Sequence, residues 1–337
     1  MTALEYQKRC EQWGLTDPRA AVAVHGCLGG DSQLAAAVPY FPKTYSEVDD
    51  WVKSTLLDGK SPIFESLSGV VEETLGGQPS EELDRMLWLL VSGPRNLSQL
   101  AKITKLGPTG TTEAMRPFVD AGMITAVRDP LDPDTDLWRI SDRRLRFYYS
   151  LLSGHVGYWK RGRMHDLLWR RLHARFNRYI VRGEAADIAR QWGTSPAGAA
   201  RLGIEATTAA RLLVPDYEAR RLRASEFSLW SGEDPARLLA LGTLRWGLMM
   251  RNGQLARLRM LQHLLIQQGV PGADQATLVC IGTHFESGIA NTPETEKFHR
   301  IGPDDLFAPA PLPANNPATG ETPAQEVNTA AAASERS

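Results

Sequence analysis

The sequence predicts a multidomain chain that is mainly α-helical and includes an α/β part. Between residues 1 and 182, apolar residues recur at three- and four-residue spacing, as amphipathic helices require. A helical segment at residues 254–267 then lies between short apolar segments that are typical of strands. The last 30 residues contain five prolines and no aromatic residue, so we predict that the tail, residues 308–337, is disordered.

Length and composition set broad limits. At 337 residues the chain can hold two or three domains, each with its own core. A hydrophobic content of 42% and a charged content of 23% are ordinary for a soluble globular protein. Because the sequence has no signal peptide and no long apolar run, we expect a cytoplasmic protein without a membrane partner.

The sequence predicts neither a metal nor a cofactor. Cys10, Cys27 and Cys280 show no CxxC or Cys/His ligand spacing, so we expect free buried thiols. Gly59-Lys60-Ser61 echoes the end of a phosphate-binding loop. However, Ser54 stands where that motif requires its first glycine, and no apolar strand precedes it.

The first 78 residues are predicted to form helices joined by loops. An Asp-Pro pair at residues 17–18 is a typical helix start, and the Gly-Gly pair at residues 29–30 is a typical end. Further helical segments are predicted at residues 45–57 and 63–75.

Residues 83–140 show the pattern of a winged helix-turn-helix. Gly-Pro pairs at residues 93–94 and 107–108 separate three helical segments, and two short strands follow. Helix, helix, helix, hairpin is the order that this module requires. The predicted elements are helix 83–90, helix 97–103, a helix from Thr111 or Thr112 to Ala121, strand 124–127, a turn at 129–134 and strand 137–140.

Two uses of this module remain open. One is DNA binding, with the third helix in the major groove and the hairpin on the backbone. The other is packing within a larger assembly. Local charge favours packing, because the third helix offers only Arg116 as a cation and an acidic wing tip would repel phosphates. The acidic residues of the wing are Asp129, Asp132, Asp134 and Asp136.

A strongly basic segment follows. The formal net charge of the chain is −1, but residues 138–182 contain twelve Lys or Arg and two Asp, a balance of 12 − 2 = +10, which leaves −1 − 10 = −11 for the remainder. This asymmetry indicates either a surface for an acidic partner or an internal match to the acidic remainder. The candidate nucleic-acid-binding residues are Arg143, Arg144, Arg146, Lys160, Arg161, Arg163, Arg170, Arg171, Arg175 and Arg178.

The apolar residues of the same segment have a simpler interpretation. Aromatic side chains between cations are able to stack on bases, but helical spacing favours a core with the arginines solvated outside it. The predicted core residues are Phe147, Leu151, Leu167, Leu168, Leu172, Phe176 and Ile180.

Residues 183–307 are predicted to be α/β. The first helix continues to Trp192, and a loop opens at residues 193–196. A strong amphipathic helix at 254–267 precedes an apolar strand at 276–281, which implies a crossover between parallel strands. The other candidate strands are 227–230 and 237–241.

Several motifs, in this order, resemble the C-terminal two thirds of the archaeal-type ATPase family. That family joins a P-loop ATPase domain to a helical lid, a winged helix and a restriction-endonuclease-like domain. The motifs lie at residues 13–19, 24–26, 29–30, 61–65, 120–124, 138–142 and 146–148. The resemblance implies a lid-like region at 1–78, a winged helix at 79–145, a basic connector at 146–182, a nuclease-like domain at 183–307 and a tail at 308–337. The ATPase domain is absent from this sequence.

This sequence keeps the spacing of the family's nuclease motif, but the residue types at the metal-binding and lysine positions differ. The resemblance places Glu226 at the metal-binding aspartate, Thr243 at the second carboxylate and Arg245 at the lysine. Two carboxylates are needed to hold Mg²⁺, and arginine does not lose a proton near neutral pH. We therefore expect a nuclease-like domain without nuclease activity.

Three functional hypotheses follow. The first is a non-catalytic protein that binds DNA or a protein partner, such as a separately encoded ATPase. The second is a transcriptional regulator that reads DNA through the winged helix. The third is a metal-dependent nuclease with relocated ligands, for which Asp216, Glu218 and Glu226 are the candidates.

Overall fold

The computed structural model describes residues 3–162, 165–232 and 236–307. The protein is a mixed α/β structure with a three-stranded and a five-stranded sheet. The predicted disordered tail, residues 308–337, lies outside the described residues, as does Arg163. Within the described ranges, none of the helices combines the length and apolarity needed to cross a membrane.

Capping residues set the helices of the first 78 residues. Asp17 accepts a hydrogen bond from the backbone N–H of Arg19 at 2.8 Å, and Gly29 ends the helix in a left-handed conformation. The segment predicted as one helix at residues 45–57 is instead a 3₁₀ turn, a short α-helix and a π-helical segment, Val52–Leu56. The helices are α1 (Ala3–Gln12), α2 (Pro18–Leu28), α3 (Ser32–Ala36), α4 (Val48–Trp51) and α5 (Pro62–Leu75).

The next segment has the predicted order of three helices and a hairpin. Its elements are α6 (Glu81–Val91), β1 (Arg95–Asn96), α7 (Leu97–Thr104), α8 (Gly107–Asp120), β2 (Ile124–Asp129) and β3 (Asp132–Ile140). The strands form an antiparallel sheet in the order β1-β3-β2. We call residues 80–140 the three-helix module.

Two boundaries of the three-helix module differ from the prediction. The start of the third helix at Thr111 or Thr112 is wrong: α8 begins at Gly107, because Pro108 in the first turn removes no helical hydrogen bond. The turn predicted at residues 129–134 is shorter in the structure, because β3 begins at Asp132. Asp129 pairs with Asp132, so the hairpin turns tightly through Pro130 and Leu131.

The basic segment is helical, and most of its apolar side chains face the core. Phe147, Leu151, Leu172, Phe176 and Ile180 are buried as predicted. Leu167 and Leu168 are only half-buried. The elements are α9 (Arg143–Phe147), a π-helical segment Tyr148–Leu152, α10 (Val156–Lys160), α11 (His165–Arg175) and a second π-helical segment Phe176–Val181.

A mixed five-stranded sheet forms the rest of the described structure. Its order is β4-β5-β6-β7-β8, with antiparallel pairs up to β6 and parallel pairs after it, so that α14 is the predicted crossover. The predicted strands were too short, and β4 and β8 were missed. The elements are α12 (Arg182–Gly193), α13 (Pro196–Leu202), β4 (Thr208–Asp216), β5 (Arg221–Trp230), β6 (Leu238–Met250), α14 (Asn252–Gln267), β7 (Thr277–Phe285), α15 (Ser287–Ala290), β8 (Phe298–Ile301) and α16 (Pro303–Phe307).

The sheet has a hydrophobic cluster on each face. Phe227, Leu229 and Leu244 belong to the cluster that includes α12 and the first helices of the chain. Leu241 and Cys280 belong to the cluster that includes α14. Helix α12 therefore packs between the sheet and the N-terminal helices.

Gly59, which the sequence placed in a false phosphate-loop motif, is required by packing. A Cβ atom at residue 59 would overlap the backbone of Lys160 and lie 2.8 Å from the Lys160 nitrogen. We expect Gly59→Ala to lower the free energy of unfolding by about 1–3 kcal/mol, as overpacking does. Gly253→Ala, where the added Cβ meets nothing within 4 Å, is the matched control. Equal stability of both variants in urea denaturation would contradict this packing role.

Candidate nucleic-acid interface

The predicted nucleic-acid-binding residues do not form one surface. The structure divides nine of them into buried ion pairs, half-buried contacts and exposed cations. The tenth, Arg163, lies outside the described residues. This division decides which of them are available to a partner.

Arg143 and Arg146 lie in a buried ion-pair cluster around α12. Arg143 donates to the Glu184 carboxylate from Nε at 3.1 Å and from Nη2 at 3.2 Å. Arg146 Nη2 donates to Asp187 at 3.1 Å. Glu184 is 1% exposed and Asp187 is 7% exposed. These two arginines therefore neutralise internal carboxylates instead of facing a partner.

Three further side chains complete the ion-pair cluster. Nδ1 of His25, on α2, lies 2.7 Å from Glu184 Oε1. Arg139 Nη1, on β3, donates to Asp187 at 3.1 Å, and Arg190 Nη2 donates to the same oxygen at 2.5 Å. The cluster thus joins the N-terminal helices, the three-helix module and α12.

In the ion-pair cluster, neighbouring positive charges lower the carboxyl pKa values by more than burial raises them. Burial alone raises the pKa of the Glu184 carboxyl, but the charges of Arg143 and His25 lower it from an ordinary 4.5 to about 2. Burial likewise raises the pKa of Asp187, and Arg190, Arg146 and Arg139 bring it far below its ordinary range. Both carboxylates therefore stabilise the fold as anions.

These shifts predict a loss of stability in acid. Since the pKa of Glu184 is depressed on folding, its contribution is complete above an ordinary 4.5 and disappears as the pH falls toward about 2. Between these two pKa values the loss is about 1.4 kcal/mol per pH unit. Protonation of Glu184 alone therefore lowers the free energy of unfolding by about 2 kcal/mol at pH 3. Urea denaturation at pH 7 and pH 3 measures this loss, and Glu184→Gln should have a flatter pH dependence. Equal pH dependence of the variant and the wild type would contradict the assignment.

Arg144 and Arg175 make half-buried contacts. Arg144 lies 3.9 Å from Asp31 and 3.8 Å from Asp142. The Arg175 guanidinium lies 4.1 Å from the centre of the Trp88 ring and donates to the carbonyl of Tyr149 at 2.9 Å. Arg175 therefore attaches α11 to the three-helix module.

The remaining predicted residues are exposed cations on α10, α11 and the segment that follows. Within the described part of the chain, none of Lys160, Arg161, Arg170, Arg171 and Arg178 has a carboxylate within 4.0 Å. We call Lys160, Arg161, Arg170 and Arg171 the basic surface.

Two contacts hold the basic surface together. His165 Nε2, at the start of α11, lies 3.2 Å from the carbonyl of Trp159 on α10, and the two rings are 5.2 Å apart. Asp166, the acidic residue nearest in sequence, is bound by Lys53 at 3.2 Å. Because Lys53 pairs with Asp166, this carboxylate does not neutralise the cations of the basic surface.

The three-helix module has a weaker positive surface. Its exposed cations are Lys102, Lys105, Arg116, Arg128 and Arg85, which pairs with Glu81, while Asp132, Asp134 and Asp136 are exposed on the hairpin. Acidic side chains on the hairpin would repel a phosphate backbone. The charge pattern that the sequence indicated for this module is therefore present on its surface.

Glu226 lies on β5, and Thr243 and Arg245 lie on β6. These three positions supply one carboxylate. Asp216 caps a turn: it accepts from the backbone N–H of Ala219 at 2.9 Å and from Arg223 Nε at 2.5 Å. No family model, curated protein or solved structure significantly matches this chain. Among the described residues, no group of three His, Cys, Asp or Glu side chains is placed to hold a metal ion.

Sequence reasoning missed the partners of the arginines. Glu184 and Asp187 are three residues apart on one helix, a spacing that places them on the same face. That pair was the available signal for an internal match to the basic segment. The contacts to Arg143 and Arg146 span 41 residues each, which spacing alone does not reveal.

Proposed function

We propose that this chain is a non-catalytic nucleic-acid-binding protein that contacts DNA through the basic surface. The observation that carries the proposal is the set of exposed cations on α10 and α11 without carboxylate partners among the described residues. Such cations bind phosphates and release counterions, which is the largest sequence-independent term in DNA binding. Arg143 and Arg146 have no part in this contact, because they hold Glu184 and Asp187.

We also propose the domain identities that the sequence motifs imply. The order of α6, α7, α8 and the hairpin, with a three-stranded sheet, supports a winged helix for the three-helix module. The order α12, β4, β5, β6, α14, β7 supports the nuclease-like assignment, with Thr243 and Arg245 as the reason for lost activity. A separately encoded ATPase is the protein partner that the resemblance to archaeal-type ATPases suggests.

The experiment is fluorescence anisotropy with labelled duplex and single-stranded DNA over a salt series with Mg²⁺ present. We expect affinity to fall steeply with salt, and the DNA to be intact afterwards. No binding at low salt would contradict the nucleic-acid proposal. Metal-dependent cleavage that is lost in Glu226→Ala would contradict the non-catalytic proposal and favour relocated ligands.

A second candidate function is transcriptional regulation by direct reading through α8. The arrangement of three helices and a hairpin favours it. The exposed aspartates of the hairpin oppose it. A preference for one duplex sequence over scrambled duplexes at moderate salt would support this candidate, because base contacts, unlike phosphate contacts, carry sequence information.

A further inference from the structure

A β-bulge places Glu226 next to α12. Ala210 pairs with Ser228 and Leu212 with Ser225, so Glu226 and Phe227 together face Arg211 alone. The Phe227 ring packs on α12, where it lies 2.9 Å from the position that a Cβ of Gly193 would take. Arg190 of α12 donates to the main-chain carbonyl of Glu226 at 2.6 Å. Glu226 therefore lies where the sheet, α12 and the three-helix module meet.

Arg182 and Arg211 lie near Glu226, and Arg178 and Arg245 lie near these two; we call the four the arginine cluster. The charges of Glu226, Arg245 and Arg178 act on Arg182, and those of Glu226, Arg190, Arg95 and Arg178 act on Arg211. Glu226 is one carboxylate against several guanidinium groups, so the site carries an excess of positive charge. The ion-pair cluster differs, because Glu184 and Asp187 bind the arginines there directly.

The guanidinium groups of the arginine cluster lack acceptors. Among the described residues, none of the four guanidinium groups forms a hydrogen bond or has a carboxylate within 4.0 Å. The Nε of Arg182 is enclosed without a hydrogen-bond partner. The guanidinium of Arg211 occupies the space that a side chain at Gly93 would need. Each guanidinium carries five N–H donors, so this site is rich in unused donors.

Burial makes the charges of Arg182 and Arg211 costly, whereas Arg178 is exposed. Burial lowers the pKa of Arg182 and of Arg211, Glu226 opposes that effect, and neighbouring guanidinium groups add to it. An anion between the guanidinium groups would supply the missing acceptors and reduce their mutual repulsion. The fork of a guanidinium matches two phosphate oxygens.

We propose that the arginine cluster is a binding site for a phosphate group, borne either by a nucleic-acid strand or by a free polyphosphate. The site goes beyond the proposed function, because it involves none of the residues of the basic surface. A phosphate with two negative charges offsets more of this excess than a single carboxylate does.

The test uses inorganic pyrophosphate and a short single-stranded oligonucleotide, each at fixed ionic strength. The site variant is Arg182→Gln with Arg211→Gln. The matched control, Arg116→Gln with Arg128→Gln, removes two exposed charges from the three-helix module. We expect pyrophosphate to raise the Tm of the wild type and the control but not that of the site variant. Without ligand, we expect the site variant to be at least as stable as the wild type, because it has fewer like charges.

The two probes distinguish the sources of phosphate. Stabilisation that the site variant loses with both probes assigns the site to free and strand-borne phosphate, and a loss with the oligonucleotide alone assigns it to a strand. No stabilisation of the wild type by either probe, or equal stabilisation of the site variant, would overturn the proposal. Arg211→Lys keeps the charge but not the fork, and we expect it to weaken pyrophosphate binding about tenfold. DNA affinity retained after neutralisation of the basic surface would count against that surface and leave this site unaffected.

Discussion

Replacement of Asp187 by asparagine is expected to lower the free energy of unfolding by about 3–5 kcal/mol. Asp187 is buried and accepts hydrogen bonds from Arg139, Arg146 and Arg190. Asparagine has nearly the same shape, so the loss measures the uncompensated arginine charges and not a cavity. Urea denaturation followed by circular dichroism gives the free energy, provided that the transition is two-state.

The matched control for Asp187→Asn is Asp166→Asn. Asp166 is 82% exposed at its side chain, and among the described residues its carboxylate is bound only by Lys53, at 3.2 Å. Its removal should change the free energy of unfolding by less than about 0.5 kcal/mol. Similar losses in both variants would mean that the ion-pair cluster does not hold the helices, the module and α12 together.

Neutralisation of the basic surface is expected to weaken DNA binding roughly 100-fold at low salt. The variant replaces Lys160, Arg161, Arg170 and Arg171 with glutamine. Each lost phosphate contact should reduce the slope of log affinity against log salt by about 0.9 on duplex DNA. Fluorescence anisotropy over a salt series measures both the affinity and the slope.

A second variant controls for the loss of charge as such. It replaces Lys102, Lys105, Arg116 and Arg128 with glutamine, which removes the same number of exposed cations from the three-helix module. We expect this variant to keep the wild-type affinity and slope. Loss of binding in this variant alone would assign DNA contact to α8 and the hairpin.

Local sequence signals predicted much of the helical structure. Asp17, Ser61 and Asn96 cap helices through hydrogen bonds to nearby backbone N–H groups, and these contacts span only two or three residues. Gly29 has a φ of 65°, which favours glycine at a helix end. Signals of this kind depend on residues adjacent in sequence.

The extent of the strands, and whether an arginine is exposed or paired internally, depend on residues that are distant in sequence. Arg211, Arg221 and Arg223 interrupt the apolar alternation of β4 and β5, so the sequence does not show how far these strands extend. Arg146 and Arg170 have the same chemistry in sequence. Only the fold shows that Arg146 reaches Asp187, 41 residues away, while Arg170 is exposed.

Lysine footprinting with and without DNA tests the proposed surface most directly. An acetylating reagent with mass-spectrometric detection compares Lys160, on the basic surface, with Lys102 and Lys105, on the three-helix module; all three lysines are exposed in the structure. We expect bound duplex DNA to protect Lys160 and to leave Lys102 and Lys105 fully reactive. Protection of Lys102 and Lys105 with unchanged reactivity at Lys160 would contradict binding through the basic surface.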